Sequence, residues 1–329
     1  MLETTGVVLD DALLSAWRTR TERARAQLGW PMPGTVTRVH ANGASLAIAA
    51  PCDLLFLATE VNEWAWCASL QERDPLRWHG LEAGLLAAAL ENAADPGTVI
   101  APVLDEAAAM NRFRQLRERE INPALRLLLA AAASRRLPHL LDDTELTLGA
   151  GCGGRSYPLS ALPAVAEVPW PELHDIPTVV VTGSNGKTTT VRLLAACARA
   201  HGWRAAYNCT DGVFIDREAL ASGDYSGPAG TRRVMRESRT EAALLETARG
   251  GILRRGIAVS QARVAVVTNV STDHFGEYGI DDLAGLADAK LTVGALIPAD
   301  GLLVLNADDT MLRTKARTLA LRYGSQPPT

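Results

Sequence analysis

The chain has 329 residues, 47% of them hydrophobic, and 33 Lys and Arg stand against 37 Asp and Glu for a formal charge of -4. That length exceeds what one compact core usually holds and points to two domains, while the acidic balance and the lack of a basic tail exclude bulk nucleic-acid binding. Five scattered cysteines without a C-x-x-C pair make neither a disulfide framework nor a zinc site, and neither the acidic MLETTGVVLDD start nor apolar runs such as LRLLLAAAA suit export or a bilayer. The expected setting is the cytoplasm, with no membrane and no nucleic-acid partner; nothing in the sequence fixes an oligomeric state.

Residues 1–156 are rich in alanine and leucine with arginine punctuation, as in RFRQLREREINPALRLLLAAAASRR. They read as a helix-rich α/β N-terminal domain with short strands at SLAIAA and DLLFLAT, and their role is open. GAGCGG at 149–154 satisfies G-x-G-x-x-G after a plausible strand, ELTL, but the prolines of RSYPLSALP do not open the helix that a dinucleotide site requires. A Rossmann site is therefore rejected. Residues 157–177, YPLSALPAVAEVPWPELHDIP, are proline-rich and read as a linker.

From Thr178 the rhythm becomes strand, polar turn, helix. TVVVT, RAAYN, AALLE, VAVVTN and LLVLN are short and apolar, fit for strands buried on both faces, and TTVRLLAACARA places Val191, Leu194, Ala195 and Ala198 on one helical face before Gly202. The expectation for 178–329 is an α/β domain with a mostly parallel sheet flanked by helices. Each strand runs into a polar cluster, in order TGSNGKTTT, NCTDG, ETARGG, NVSTDH and NADD. In an open parallel sheet those clusters share the edge where ligands bind.

TGSNGKTTT, residues 182–190, reads as a short phosphate-binding loop, with Val181 where the general P-loop pattern has glycine. Gly183 and Gly186 let backbone amides face an anion, Lys187 can reach terminal phosphates, and the Thr188 hydroxyl can ligate magnesium. Glu246, at the end of AALLE, is placed as a second magnesium ligand. Asp273 and His274 join the same anion-directed edge, whereas Lys290 by itself reads as a solvated helix lysine.

Taken together, TVVVTGSNGKTTT, NCTDGVFID, GDYSGPAG, LETARGGILRRG, VVTNVSTDHFGEYGIDDL, the ADAK that contains Lys290, and VLNADD resemble the Mur ligase family, in the form of the Mur module of cyanophycin synthetases. The resemblance covers roughly residues 176–312 and implies a P-loop central domain of an ATP-dependent carboxylate-amine ligase that acts through an acyl phosphate on amino acid or peptide substrates. It implies that Gly183, Ser184, Asn185, Gly186, Lys187, Thr188 and Thr189 cradle ATP and that Asn306 and Asp309 contact the nucleotide. It implies Thr188 and Glu246 on one Mg2+ and His274 on a second. It also implies that Lys290 is carbamylated into an anionic metal ligand, with Lys187, His274 and Lys290 the catalytic set. Asp211 and Arg249 fall near the substrate.

Two departures shape the expectation. Too few residues precede the loop to hold the ATP-grasp module of cyanophycin synthetases, and the chain stops soon after NADD, where Mur ligases continue into a C-terminal domain. The chain alone is expected to bind magnesium-ATP and to form no amide bond at a useful rate. A P-loop kinase or NTPase, which would use Lys187, Thr188 and Glu246 but not His274 with Lys290, remains an alternative reading, as does a nucleotide-binding interaction module without ligase activity.

Overall fold

The computed structural model describes residues 1–30, 34–40, 43–77, 105–272, 275 and 279–323. The chain divides into two compact units, Met1–Pro123 and Ala124–Thr329.

The first unit comprises β1 (Leu2–Thr5), α1 (Asp11–Gln27), β2 (Thr35–His40), β3 (Gly43–Ile48), α2 (Leu55–Arg73) and α3 (Glu106–Glu120). Its strands form an antiparallel sheet in the order β1-β3-β2. Asp10 starts α1 by accepting the Leu13 amide at 2.8 Å, an N-cap that satisfies an otherwise orphan donor. Trp17, Leu46, Leu57, Trp64 and Phe113 fill the core, with Trp64 and Phe113 edge to face at 5.8 Å. Buried Asn62 accepts from the Trp17 indole at 2.9 Å and donates to the Leu46 carbonyl at 3.0 Å, so this amide is paired inside the core. SLAIAA is strand β3 as expected, but DLLFLAT is not a strand; Leu55 opens α2. Leu57, Ala58, Val61, Trp64 and Ala65 are buried at helical spacing, and the longer pattern overrides the short apolar run that resembles a strand.

The second unit begins in α4 (Pro123–Ser134) and continues through a small antiparallel sheet of β4 (His139–Leu141), β5 (Glu145–Leu148) and β6 (Arg155–Pro158). The proline-rich stretch 157–177 is packed rather than linking. Val168 is buried with Leu125, Leu128, Leu146 and Leu148, the Trp170 indole donates to the Val165 carbonyl at 2.8 Å, and the Arg135 guanidinium lies 4.3 Å above the Trp170 ring. Proline prevents regular pairing, yet it does not prevent burial of the residues between. The division after Pro123 thus replaces the expected boundary at 157–177.

The main sheet follows as β7 (Thr178–Thr182), α5 (Lys187–Ala200), β8 (Ala205–Cys209), β9 (Gly212–Ile215), β10 (Glu218–Ser222), α6 (Pro228–Arg236), β11 (Ala242–Glu246), α7 (Arg249–Arg255), β12 (Val264–Val267), α8 (Leu283–Leu291), β13 (Leu302–Leu305) and α9 (Thr310–Tyr323). The strand order is β10-β9-β8-β11-β7-β12-β13. All five strands expected from the sequence are present and parallel. The hairpin β9-β10 adds two antiparallel strands on one side. Alternate residues enter two cores: Val180, Ala243 and Leu245 face one, while Val181, Ala242 and Leu244 pack with Val191 and Ala195 of α5 in the other. Burial on both faces is why these strands read as continuous apolar runs, each large side chain contributing roughly 1.5–3 kcal/mol.

Arg236, in the last turn of α6, ties the two sheets together. It pairs with Asp142 and with Glu145 Oε1 at 2.9 Å and donates to Thr147 Oγ1 at 2.9 Å. Burial pushes the Asp142 carboxyl up, but the Arg236 hydrogen bond and those from Thr144 and Glu145 hold it well below its ordinary 3.8. Arg236→Ala should cost about 2 kcal/mol, read as a melting temperature lower by roughly 4–8 °C. A depressed carboxyl stabilises the fold above its unfolded value and ceases to as acid titrates it. The stability gap between the native chain and Asp142→Asn in urea should therefore stay constant above about pH 4 and narrow below it.

Candidate functional site

The parallel strands end along one edge, and the loop 183–186 leaves the central strand β7 there to enter α5. Gly183 takes φ +145°, and a Cβ on it would stand 1.9 Å from Thr268 Oγ1, so the position excludes a side chain on two counts. Gly186 caps α5 at φ +81° with open space around it; here the backbone angle alone selects glycine.

The loop is strapped to the segment after β12. The Ser184 amide donates to the Asn269 carbonyl at 2.9 Å and the Asn185 amide to Asn269 Oδ1 at 3.0 Å. Thr268 Oγ1 donates to the Asn185 carbonyl at 2.6 Å, and the Ser271 amide donates to Ser184 Oγ at 3.1 Å. Ser184 and Asn185 thus spend their amides on the strap. The amides from Gly186 through Thr189 have no such partner among the described residues, and α5 has no side-chain cap. They form a helix start whose partial positive charge suits an anion. Thr189 contributes its amide, while Thr190 Oγ1 turns back to the Gly186 carbonyl at 2.8 Å.

The Lys187 ammonium lies over this loop, donating to the Gly183 carbonyl at 3.1 Å and the Ser184 carbonyl at 3.0 Å. One residue on, the Thr188 hydroxyl donates to Glu246 Oε2 at 2.7 Å and lies 3.2 Å from Thr210 Oγ1. Glu246 is fully buried at the end of β11, and its Oε1 has no hydrogen-bond partner. Burial pushes its carboxyl up; the Thr188 hydrogen bond and the Lys187 charge pull it down, without cancelling the effect of burial. A buried carboxylate oxygen left unpaired is costly and fits a bound cation. A hydroxyl and one carboxylate are a donor set suited to Mg2+, which completes its shell from phosphate oxygens and water. No group of three or more His, Cys, Asp and Glu able to hold a metal occurs among the described residues.

The other sequence candidates distribute as follows. Asp309 caps α9, accepting the Leu312 amide at 3.0 Å, and its second oxygen accepts the Val270 amide at 2.6 Å, which joins the end of β13 to the strap. Asn306 accepts the Asp308 amide at 3.0 Å and shapes the same turn. Asp211 pairs with Arg192 at 2.5 Å at the surface beyond β8. Arg249 is buried at the start of α7. Next to it a cleft of about 370 Å3 opens between Asp224–Gly230 and Ala248–Arg255. Lys290 is 2% exposed, so it is not a solvated helix lysine. Asp273 and His274 lie outside the described residues.

Sequence reasoning missed Asn269 and Thr268, which hold the loop, and Asn208, whose buried amide donates to the Tyr225 and Glu246 carbonyls at 2.7 and 2.8 Å. The signal for them was the position of asparagine and threonine at two strand ends, where backbone groups need partners. Gly186→Ala should weaken anion binding only modestly, costing about 1 kcal/mol for the left-handed angle. Gly183→Ala must also displace Thr268 and should lose binding altogether. Calorimetric titration with a nucleoside triphosphate separates the two.

Residues 181–326 match the family model described as the Mur ligase middle domain. A cyanophycin synthetase of Geminocystis herdmanii is 40% identical over 167 residues, which are 50% of this chain and 19% of that protein. A UDP-N-acetylmuramoylalanine–D-glutamate ligase of Salinibacter ruber is 31% identical over 153 residues, 46% of this chain and 30% of its own. Among solved structures, a UDP-N-acetylmuramoyl-L-alanyl-D-glutamate–2,6-diaminopimelate ligase overlays on 44% of this chain and 30% of its own with 23% identity and a TM-score of 0.38. The matched region is thus a minor part of each of these relatives.

Proposed function

We propose that the Mur ligase middle domain formed by residues 181–326 binds ATP with Mg2+ at the carboxyl edge of its sheet and serves an ATP-dependent amide-bond-forming ligase. In this reading a substrate carboxylate is activated as an acyl phosphate and then attacked by the amine of an amino acid or peptide. The observation that carries it is the Thr188–Glu246 pair at 2.7 Å with the second glutamate oxygen buried and unpaired. That pair lies one residue from the ammonium that would meet terminal phosphates.

For the described residues other than Lys290 the part is argued from the setting, and for His274 from the sequence resemblance alone. The amides from Gly186 to Thr189 and the α5 dipole receive phosphate oxygens, and Lys187 neutralises their charge. Thr188 and Glu246 would hold Mg2+, which supplies charge neutralisation at the phosphates when bound. The strap from Thr268, Asn269 and Asp309 keeps the loop in place, so little reorganisation accompanies binding. Asn306 stands at the same end of β13 and is assigned to the nucleotide. Asp211 and Arg249, with the neighbouring cleft, are assigned to the substrate side. His274 is assigned to a second metal ion. Lys290 is enclosed in the fold, and its carbamylation is assigned on the sequence resemblance. A kinase or simple NTPase has no use for such a lysine, which favours the ligase.

Lys187→Ala should weaken ATP binding by at least about tenfold in calorimetry while leaving the melting temperature unchanged. Thr188→Val should reduce only the magnesium-dependent part of binding. That part should also fall as pH drops toward the Glu246 carboxyl, which titrates above its ordinary 4.5, because only the carboxylate holds the metal. Glu246→Gln should remove this pH dependence.

The reaction itself is tested with amino acids and short peptides whose carboxylates carry heavy oxygen. Transfer of the label into released phosphate, detected by mass spectrometry, is the expected result of an acyl phosphate. Release of unlabelled phosphate, independent of added acid, would support the NTPase reading instead. Lys290→Ala should lose label transfer and regain part of it with short-chain carboxylic acids.

A further inference from the structure

The GAGCGG segment has no place at the phosphate edge. Its middle residues, Gly151–Gly153, form a short 3-10 turn next to the amino ends of β7 and β11: the Cys152 amide donates to the Thr240 carbonyl at 2.8 Å, and a Cβ on Gly151 would meet that same carbonyl oxygen at 2.3 Å. The glycines are there for space. A Cβ on Gly149 would come within 2.1 Å of the Gly153 carbonyl, and one on Gly153 within 2.5 Å of the His174 ring. The turn is filled by protein and holds no room for a dinucleotide phosphate.

What fills it is His174. Its amide donates to the Gly153 carbonyl at 3.0 Å and its carbonyl accepts the Ala150 amide at 3.1 Å, so the residue is fixed to both ends of the turn. Its Nδ1 lies 3.3 Å from the Glu172 carbonyl oxygen and its Nε2 lies 3.9 Å from Cys152 Sγ. A carbonyl oxygen only accepts, so the proton sits on Nδ1 and the Nε2 lone pair faces the thiol. This is a nucleophile, a base within reach of it, and a third group that orients the base. Cys152 is exposed, and so is the imidazole.

The other cysteines differ. Burial pushes the Cys67 thiol up to about 12 and also raises Cys209, which makes both poor nucleophiles. Cys197 is exposed but has no hydrogen-bonded imidazole among the described residues. The chain therefore carries its own reference thiol.

We propose that Cys152 and His174 form a thiol-imidazole pair that makes Cys152 the preferred site of mixed-disulfide formation with a low-molecular-weight disulfide. Cys152 Sγ attacks one sulfur of the disulfide as its proton passes to His174 Nε2. The new Sγ–S bond forms, the original S–S bond breaks, and the departing thiolate takes the proton from the imidazolium. One disulfide is consumed and one thiol released, so electrons balance without a further oxidant.

The test incubates the full chain with limiting glutathione disulfide and follows each cysteine by peptide mass spectrometry. Cys152 should be modified about tenfold or more faster than Cys197. His174→Gln, which retains hydrogen-bonding capacity without a base, should bring Cys152 down to the Cys197 rate, with circular dichroism and melting temperature confirming the fold. A Cys152 rate within about twofold of Cys197, or an unchanged rate in His174→Gln, would overturn the proposal.

Discussion

Strand β7 is confined on every side: Val180 and Val181 face opposite cores, and β11 and β12 hydrogen-bond to its two edges. That confinement fixes where its chain end emerges, and the phosphate-binding loop, the start of α5 and the position of Glu246 all follow from it. Glu246 pairs in register with Val181, so its side chain stands beside the first helical turn without any dedicated scaffold. The strap from β12 does the same on the other side. A site assembled from three neighbouring strand ends is as rigid as the sheet that carries it.

The same confinement explains which parts were legible in the sequence. β7, β8 and β11 lie inside the sheet and are covered on both faces, so each appears as an uninterrupted hydrophobic run; β12 and β13 are equally apolar in sequence, although Leu302 and Val304 of the edge strand β13 are exposed. β10 is an edge strand with Glu218, Ala219 and Ser222 exposed, and its residues carry no such pattern. Its hairpin partner β9 is only four residues long and begins at the last residue of the polar cluster NCTDG. In the first unit the seven residues DLLFLAT looked like a strand because local composition cannot report that the apolar positions continue at helical spacing through Ala65. The proline-rich stretch was legible as irregular chain, but irregular chain is not the same as a boundary. Val168 and Trp170 are what bind it to the second unit.

At the site, Lys187 and Thr188 were legible because a lysine and threonine directly after a glycine turn have few structural uses. Ser184 and Asn185 were grouped with them, and the structure gives their amides to Asn269 instead. Sequence alone does not separate an amide that faces a ligand from one that faces a neighbouring loop. Lys290 shows the complementary difficulty. Its sequence surroundings match any amphipathic helix, and only the packed fold reveals that the side chain is enclosed.

The Lys187 ammonium is held by two carbonyl oxygens of its own loop. Any incoming ligand must therefore outbid partners that are already in place and already at good distance. A singly charged or poorly aligned group offers little more than those carbonyls do, whereas a polyphosphate presents several charged oxygens together. The lysine's resting contacts thus act as a threshold: they keep the cradle's charge internally balanced and make its response depend steeply on how much negative charge the visitor brings.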